Sequence, residues 1–184
     1  VGRAFELIES GKTDVVIAGG AEAPLHHGIF SAMDAGRMLA ADEGGTILNL
    51  PRPFDRTRSG TVIGEGAGSF VLEEYEHACR RGARIYAEIE AWSFTCDAYS
   101  MARPDASGKE QTRAIRRTLS EANWFPEEVD YISACGLGTV ESDAIETLAI
   151  KQALGPHAYQ TPVTSFKGAL GHAFAASGAF QIIG

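Results

Sequence analysis

The run Asp14-Val15-Val16-Ile17-Ala18-Gly19-Gly20-Ala21 is short, almost wholly apolar and ended by glycines. That pattern predicts a strand buried on both faces. Gly66-Ala67-Gly68-Ser69-Phe70-Val71-Leu72-Glu73 predicts a second buried strand, and Glu128-Val129-Asp130-Tyr131-Ile132-Ser133-Ala134 a third. Residues 85–95 alternate enough to be a strand, and residues 162–165 predict a brief one. Helices are expected over the opening residues, 28–39, 74–81 before Gly82, 107–123 through Ile115, Leu119 and Ala122, and 141–154 before Gly155. A last helix begins at Ala173, and the remainder of residues 22–50 is irregular. Strands alternating with helices imply βαβ units, an α/β fold and a mostly parallel sheet.

With 184 residues, 45% of them hydrophobic, the chain can bury a sizeable core. No apolar run approaches the ~20 residues that span a bilayer, so no membrane span is expected. No signal peptide is visible. The opening Val1-Gly2-Arg3-Ala4-Phe5-Glu6-Leu7-Ile8 has neither a start methionine nor a capping residue, and the expectation is a piece of a longer chain, entered inside a helix. Cys79, Cys96 and Cys135 are too widely spaced for a disulfide framework or a zinc motif, which points to a reducing, cytoplasmic setting. A net charge of −8 without a basic cluster beyond Arg80-Arg81 argues against nucleic acid as a partner.

Several residues carry candidate chemistry. In Thr164-Ser165-Phe166-Lys167-Gly168-Ala169-Leu170-Gly171-His172, a lysine stands five residues before a histidine, at the entry to a small-residue helix. A neutral imidazole there could donate a hydrogen bond to a thioester carbonyl or a developing enolate, and Lys167 could tune it by charge. By spacing alone, a structural histidine and a surface lysine explain the pattern as well. Ser133-Ala134-Cys135-Gly136-Leu137-Gly138-Thr139 joins a strand to a helix carrying Asp143 and Glu146. The helix dipole alone rationalises that acidic pair, and the alternative is that they orient Lys167 or a water. Arg52-Pro53-Phe54-Asp55 predicts a loop stiffened by an Arg52–Asp55 ion pair. Gly64-Glu65-Gly66-Ala67-Gly68 lacks a following Lys-Ser/Thr and leads into a strand, so it is a backbone-packing run rather than a phosphate loop. Adjacent His26 and His27 diverge and have no further ligand at a usable spacing, and no metal is expected.

Taken in order, these segments resemble the elongating β-ketoacyl-acyl-carrier-protein synthases of the thiolase superfamily. The resemblance covers essentially the whole chain, from Leu7-Ile8-Glu9-Ser10-Gly11 and Ala18-Gly19-Gly20-Ala21-Glu22 to the last helix, with Asp97-Ala98-Tyr99-Ser100-Met101-Ala102-Arg103-Pro104 similar to a segment beside the pantetheine channel. It implies a layered α/β/α/β/α fold, here a partial chain. Residues 1–75 would end the N-terminal half and residues 76–184 would start the C-terminal half. It also implies decarboxylative Claisen condensation with malonyl thioester on the phosphopantetheine of acyl carrier protein, no further cofactor, and a homodimer or a ketosynthase heterodimer. An acidic carrier would need a local basic patch on this acidic chain. The family's nucleophilic cysteine would precede Val1, and its glycine-rich gating loop would follow Gly184.

Carried over residue by residue, Lys167 and His172 match catalytic positions, Asp143 and Glu146 match supporting acidic positions, and Thr139 keeps a substrate-binding threonine. Cys135 stands where the family has a second histidine, and a thiol is the weaker donor. Leu137 replaces a threonine, Ser100 and Ala102 replace a histidine and a threonine, and Gln181 stands where a lysine-pairing glutamate is common. Two functions follow: a condensing enzyme with altered chemistry, favoured by the retained Lys167 and His172, or a non-condensing partner subunit similar to chain-length factors.

Overall fold

The computed structural model describes residues 1–41, 50–101 and 103–184; Ala102 and part of the irregular 22–50 stretch lie outside them. Helix α1 (Gly2–Glu9) turns its buried Ala4 toward strand β1 (Val15–Glu22). A short helix α2 (His27–Ala35) follows, its first turn capped by His26, whose Nδ1 accepts from the N–H of Gly28 at 3.2 Å. Strand β2 (Gly66–Glu73) pairs antiparallel with β1 in unbroken register, from Val15 opposite Glu73 to Glu22 opposite Gly66. Helix α3 (Tyr75–Arg80) is capped by Glu74, which accepts from the N–H groups of Glu76 and His77.

The second layer is a βαβ unit. Strand β3 (Ile132–Ser133) runs into helix α5 (Val140–Leu154) and returns as strand β4 (Val163–Thr164), parallel to β3. Helix α5 buries Ile145, Ala149, Ile150, Ala153 and Leu154 along one stripe at helical spacing. Ile150, Ala153 and Leu154 pack with Ile115, Val129, Ile132, Ala158 and Val163, so the stripe meets both helix α4 (Lys109–Glu121) and the β3–β4 pair. A one-turn helix α6 (Lys167–Leu170), a 3₁₀ turn at Phe174–Ala176 and helix α7 (Ser177–Ile183) complete the chain. The 3₁₀ turn and α7 pack onto the β1–β2 pair, which brings residues from both ends of the sequence into one core.

Three expectations are corrected. Among the described residues, one strand pair is antiparallel and one parallel, so the sheet is not mostly parallel. Within residues 1–184, β1 is covered on one face only. Val15, Ile17 and Val71 lie on one side, and Ile17, opposite Val71 in the ladder, is 75% exposed. Apolarity signals burial but does not count how many faces are covered. Residues 85–95 form no ladder among the described residues; instead they lie along α4, where Ser93 and Thr95 donate to the carbonyls of Ala114 and Glu110.

Leu154 is 3% exposed at the centre of the α5 cluster. Leu154→Ala should therefore destabilise the protein by about 2–5 kcal/mol, read as a lowered chemical-denaturation midpoint with an unchanged slope.

Candidate active site

The loop between β3 and α5 is held by two carboxylates from the helix that follows it. Glu146 accepts from the N–H of Cys135 at 2.7 Å and of Gly136 at 2.8 Å. One turn earlier, Asp143 accepts from the N–H of Gly138 at 3.0 Å and of Phe54 at 2.8 Å. Asp143 is 1% exposed, and its charge is met by Arg58 Nε at 3.6 Å. Arg58 also donates to the carbonyls of Thr139 and Val140 at the start of α5. Both acids thus serve the backbone rather than Lys167. Thr139 caps α5 by accepting from the N–H of Ser142 at 3.3 Å.

The neighbouring Arg52 loop is stiffened by a different bond from the expected ion pair. Asp55 accepts from the N–H and the hydroxyl of Thr57, both at 2.6 Å, because the side chain two residues on is closer than any guanidinium. Those bonds, with lesser help from Arg52 and Arg56, hold its carboxyl below the usual range. Phe54, beside it, is a non-glycine residue at φ +64°, kept there by the Asp143 bond.

Opposite this loop, Lys167 is 3% exposed, and all three of its N–H donors have partners. Nζ lies 2.8 Å from the Cys135 carbonyl, 3.7 Å from the Cys135 thiol and 3.4 Å from Gln181 Oε1. Gln181 Nε2 donates to the carbonyls of Ala134 at 2.8 Å and Ser133 at 3.3 Å. The amide therefore presents donors to two carbonyls and an acceptor to the ammonium; a glutamate here would set lone pairs against lone pairs. Ser165 donates to the carbonyls of Cys135 and Gly136 at 2.9 and 3.0 Å. Gly136, at φ +47°, admits that approach: an added Cβ would meet the Ser165 side chain at 2.5 Å.

His172 is fixed through its backbone. Its N–H donates to Val62 at 2.7 Å, and its carbonyl accepts from Gly64 at 3.0 Å. Gly171, at φ +71°, makes the turn that delivers it, and a Cβ there would meet the Val62 carbonyl at 2.9 Å. The imidazole packs against Phe174 with centroids 4.5 Å apart, and Nδ1 lies 3.2 Å from Ser177 Oγ.

Electrostatics separates the two side chains. Burial, with the Lys167 charge adding to it, lowers the His172 pKa to about 4, so the ring is neutral at pH 7. Burial raises the Cys135 thiol above its ordinary value; the Lys167 charge opposes this without reversing it. Cys135 is therefore a protonated thiol at neutral pH, a weak donor rather than a nucleophile.

The structure brings Cys135, Lys167 and Glu146 together and sets His172 within the field of Lys167. Asp143 and Thr139 lie at the helix start that supports the loop. Arg58, Ser165 and Ser177 were not legible in advance, because their partners are distant in sequence or hidden in a run of small residues. Among the described residues, no group of three or more His, Cys, Asp or Glu could hold a metal ion.

A neutral His172 has a consequence for stability. The folded ring binds a proton only near pH 4, and an unfolded one near 6.5. Unfolding therefore takes up a proton between those values, and stability contributed by this residue is lost as the pH falls from about 6.5 to 4. Denaturation midpoints at pH 7 and 4.5 should show a smaller acid loss in His172→Ala than in the parent.

Two family profiles match the chain: Beta-ketoacyl synthase, N-terminal domain, over residues 1–78, and Beta-ketoacyl synthase, C-terminal domain, over residues 86–184. The 3-oxoacyl-[acyl-carrier-protein] synthase 2 of Synechocystis sp. is 41% identical over 183 residues, covering 100% of this chain and 44% of that protein. Among solved structures, a type II PKS acyl-carrier protein in complex with its ketosynthase bound to the hexaketide is similar at 39% identity and TM-score 0.95, covering 99% of this chain and 45% of that one. The ishigamide ketosynthase/chain length factor is similar at 35% identity and TM-score 0.84, over 99% and 42%. The chain thus spans less than half the length of the relatives it matches. Its α/β architecture is part of the layered, thiolase-like fold of those ketosynthases. By both profiles and by these likenesses, the chain belongs to the beta-ketoacyl synthase family.

Proposed function

We propose that the protein containing this chain is a 3-oxoacyl-[acyl-carrier-protein] synthase, an acyltransferase of fatty-acid or polyketide biosynthesis with an atypical donor at Cys135. One observation carries the reading: His172 is neutral and fixed by its backbone, within the field of a buried Lys167 that holds the Cys135 loop. In the proposed reaction the malonyl carbon–carboxylate bond breaks, carbon dioxide leaves and the electron pair enters the thioester as an enolate. The His172 N–H stabilises the enolate oxygen. The enolate carbon attacks the enzyme-bound acyl thioester, and the nucleophile's thiolate leaves. Cys135 S–H is a second, weaker donor to the same charge, and Lys167 acts by holding Cys135 rather than by touching substrate.

Acyl carrier protein as the substrate carrier and a dimer with a second ketosynthase-type chain are part of this proposal, supported by the relatives' complexes. So is the division into residues 1–75 and 76–184; the two family profiles meet nearby, between residues 78 and 86. A cytoplasmic setting is part of the proposal as well; among the described residues no helix is long and apolar enough to cross a membrane. A second reading, a chain-length-factor-like partner subunit, is favoured by Cys135 in place of a histidine.

Intact mass of the full-length gene product after incubation with acyl-carrier thioester separates the two. A covalent acyl adduct is expected for the enzyme, and its absence would leave the partner subunit. Where an adduct forms, Cys135→His should raise the condensation rate, by up to about 10²-fold if the thiol is the limiting donor. Unchanged or slower turnover would remove Cys135 from that role.

A further inference from the structure

We propose that Ser177 is a positioning residue: its hydroxyl donates to Nδ1 of His172 and so keeps the imidazole proton on Nε2. This rests on the function proposed above, in which His172 supplies an N–H donor.

The assignment follows from counting hydrogens. Ser177 is 6% exposed, and its Oγ accepts from the N–H of Ala173 at 3.0 Å. Ala173 is fully buried, and that bond satisfies its amide. Oγ is left with one hydrogen and one lone pair. Among the described residues, the only acceptor within hydrogen-bonding distance of that hydrogen is His172 Nδ1, at 3.2 Å. Lys167 and Gln181 line the same crevice, but the ammonium can only donate and Gln181 Oε1 is turned to Lys167. The crevice, walled by Phe166, Leu170 and Phe180, is too narrow for a water molecule. The opposite tautomer, with Nδ1–H donating to Oγ, would leave a buried hydroxyl hydrogen without a partner, which disfavours it by roughly one to two powers of ten.

Local structure makes the contact. Ser177 is five residues beyond His172, and the intervening 3₁₀ turn begins at Phe174, a non-glycine residue at φ +42°. That turn folds Oγ back toward the imidazole while the Phe174 ring packs against it. With Nδ1 engaged as an acceptor, Nε2 is the ring's N–H donor. Burial and the Lys167 charge, which keep the ring neutral, ensure that only one nitrogen carries a proton at pH 7.

The test is long-range ¹H–¹⁵N correlation NMR on the full-length protein labelled with ¹⁵N-histidine, with His172 assigned by its disappearance in His172→Ala. The parent should show a bare Nδ1 and a protonated Nε2, Ser177→Thr should keep that pattern, and Ser177→Ala should shift toward a mixture of tautomers. Malonyl-carrier decarboxylation by Ser177→Ala should fall about 10- to 100-fold in kcat with little change in KM, and Ser177→Thr should restore it. A proton on Nδ1 in the parent, or an unchanged spectrum in Ser177→Ala, would overturn the proposal. The parent spectrum needs no turnover, and the only variant it needs is the His172→Ala used for assignment. A parent with the expected tautomer and no decarboxylation would therefore count against the proposed function alone.

Discussion

The site depends on a buried aspartate. Asp143 gathers the amides of Phe54 and Gly138 and the guanidinium of Arg58, and so ties a loop from the first third of the chain to the start of α5. Without that acceptor, one buried and one half-buried N–H group and a cation would lose their partner, and the Phe54 backbone would lose the bond that holds it in the left-handed region. Glu146, one turn on, does the same for Cys135 and Gly136. The acidic pair is thus a clamp on backbone amides, and through them it sets where Cys135 stands relative to Lys167.

Lys167 is the second constraint. A lysine this buried needs its donors satisfied, and here the partners in contact are neutral: two atoms of Cys135 and the amide oxygen of Gln181. Its charge is therefore felt by its neighbours rather than cancelled at contact. It adds to burial in keeping His172 neutral and works against burial at the Cys135 thiol. One cation acts on two donors, and both remain in their uncharged forms at neutral pH.

Much of this was legible in the chain. The α5 helix and its Gly155 stop follow from punctuation, and the βαβ unit from β3 to β4 follows from the alternation of strands and helices; the Thr139 cap and the buried stripe emerged only from the structure. Motif order gave the family and singled out Lys167, His172 and Cys135. What could not be read was pairing at a distance. The antiparallel register of β1 with β2 depends on a connection of more than forty residues, and the uncovered face of Ile17 and Val71 is invisible in an apolar run. Likewise Arg58 finds Asp143, and Ser165 the Cys135 loop, only after folding. Ser177 is close in sequence to His172, but a serine among alanines and glycines carries no signal until the turn at Phe174 aims it.

The orientation of Gln181 bears on how such a site can change over generations. Its amide serves three neighbours at once: the carbonyls of Ser133 and Ala134 at the end of β3 on one side and the Lys167 ammonium on the other. Lys167 in turn holds both the carbonyl and the sulfur of Cys135. Positions 135, 167 and 181 therefore form one epistatic unit. A glutamate at 181 would leave the Ser133 and Ala134 carbonyls without these donors, and a histidine at 135 must leave Lys167 a partner for the N–H that now meets sulfur. The effect of a substitution at any one of the three then depends on what the other two positions hold.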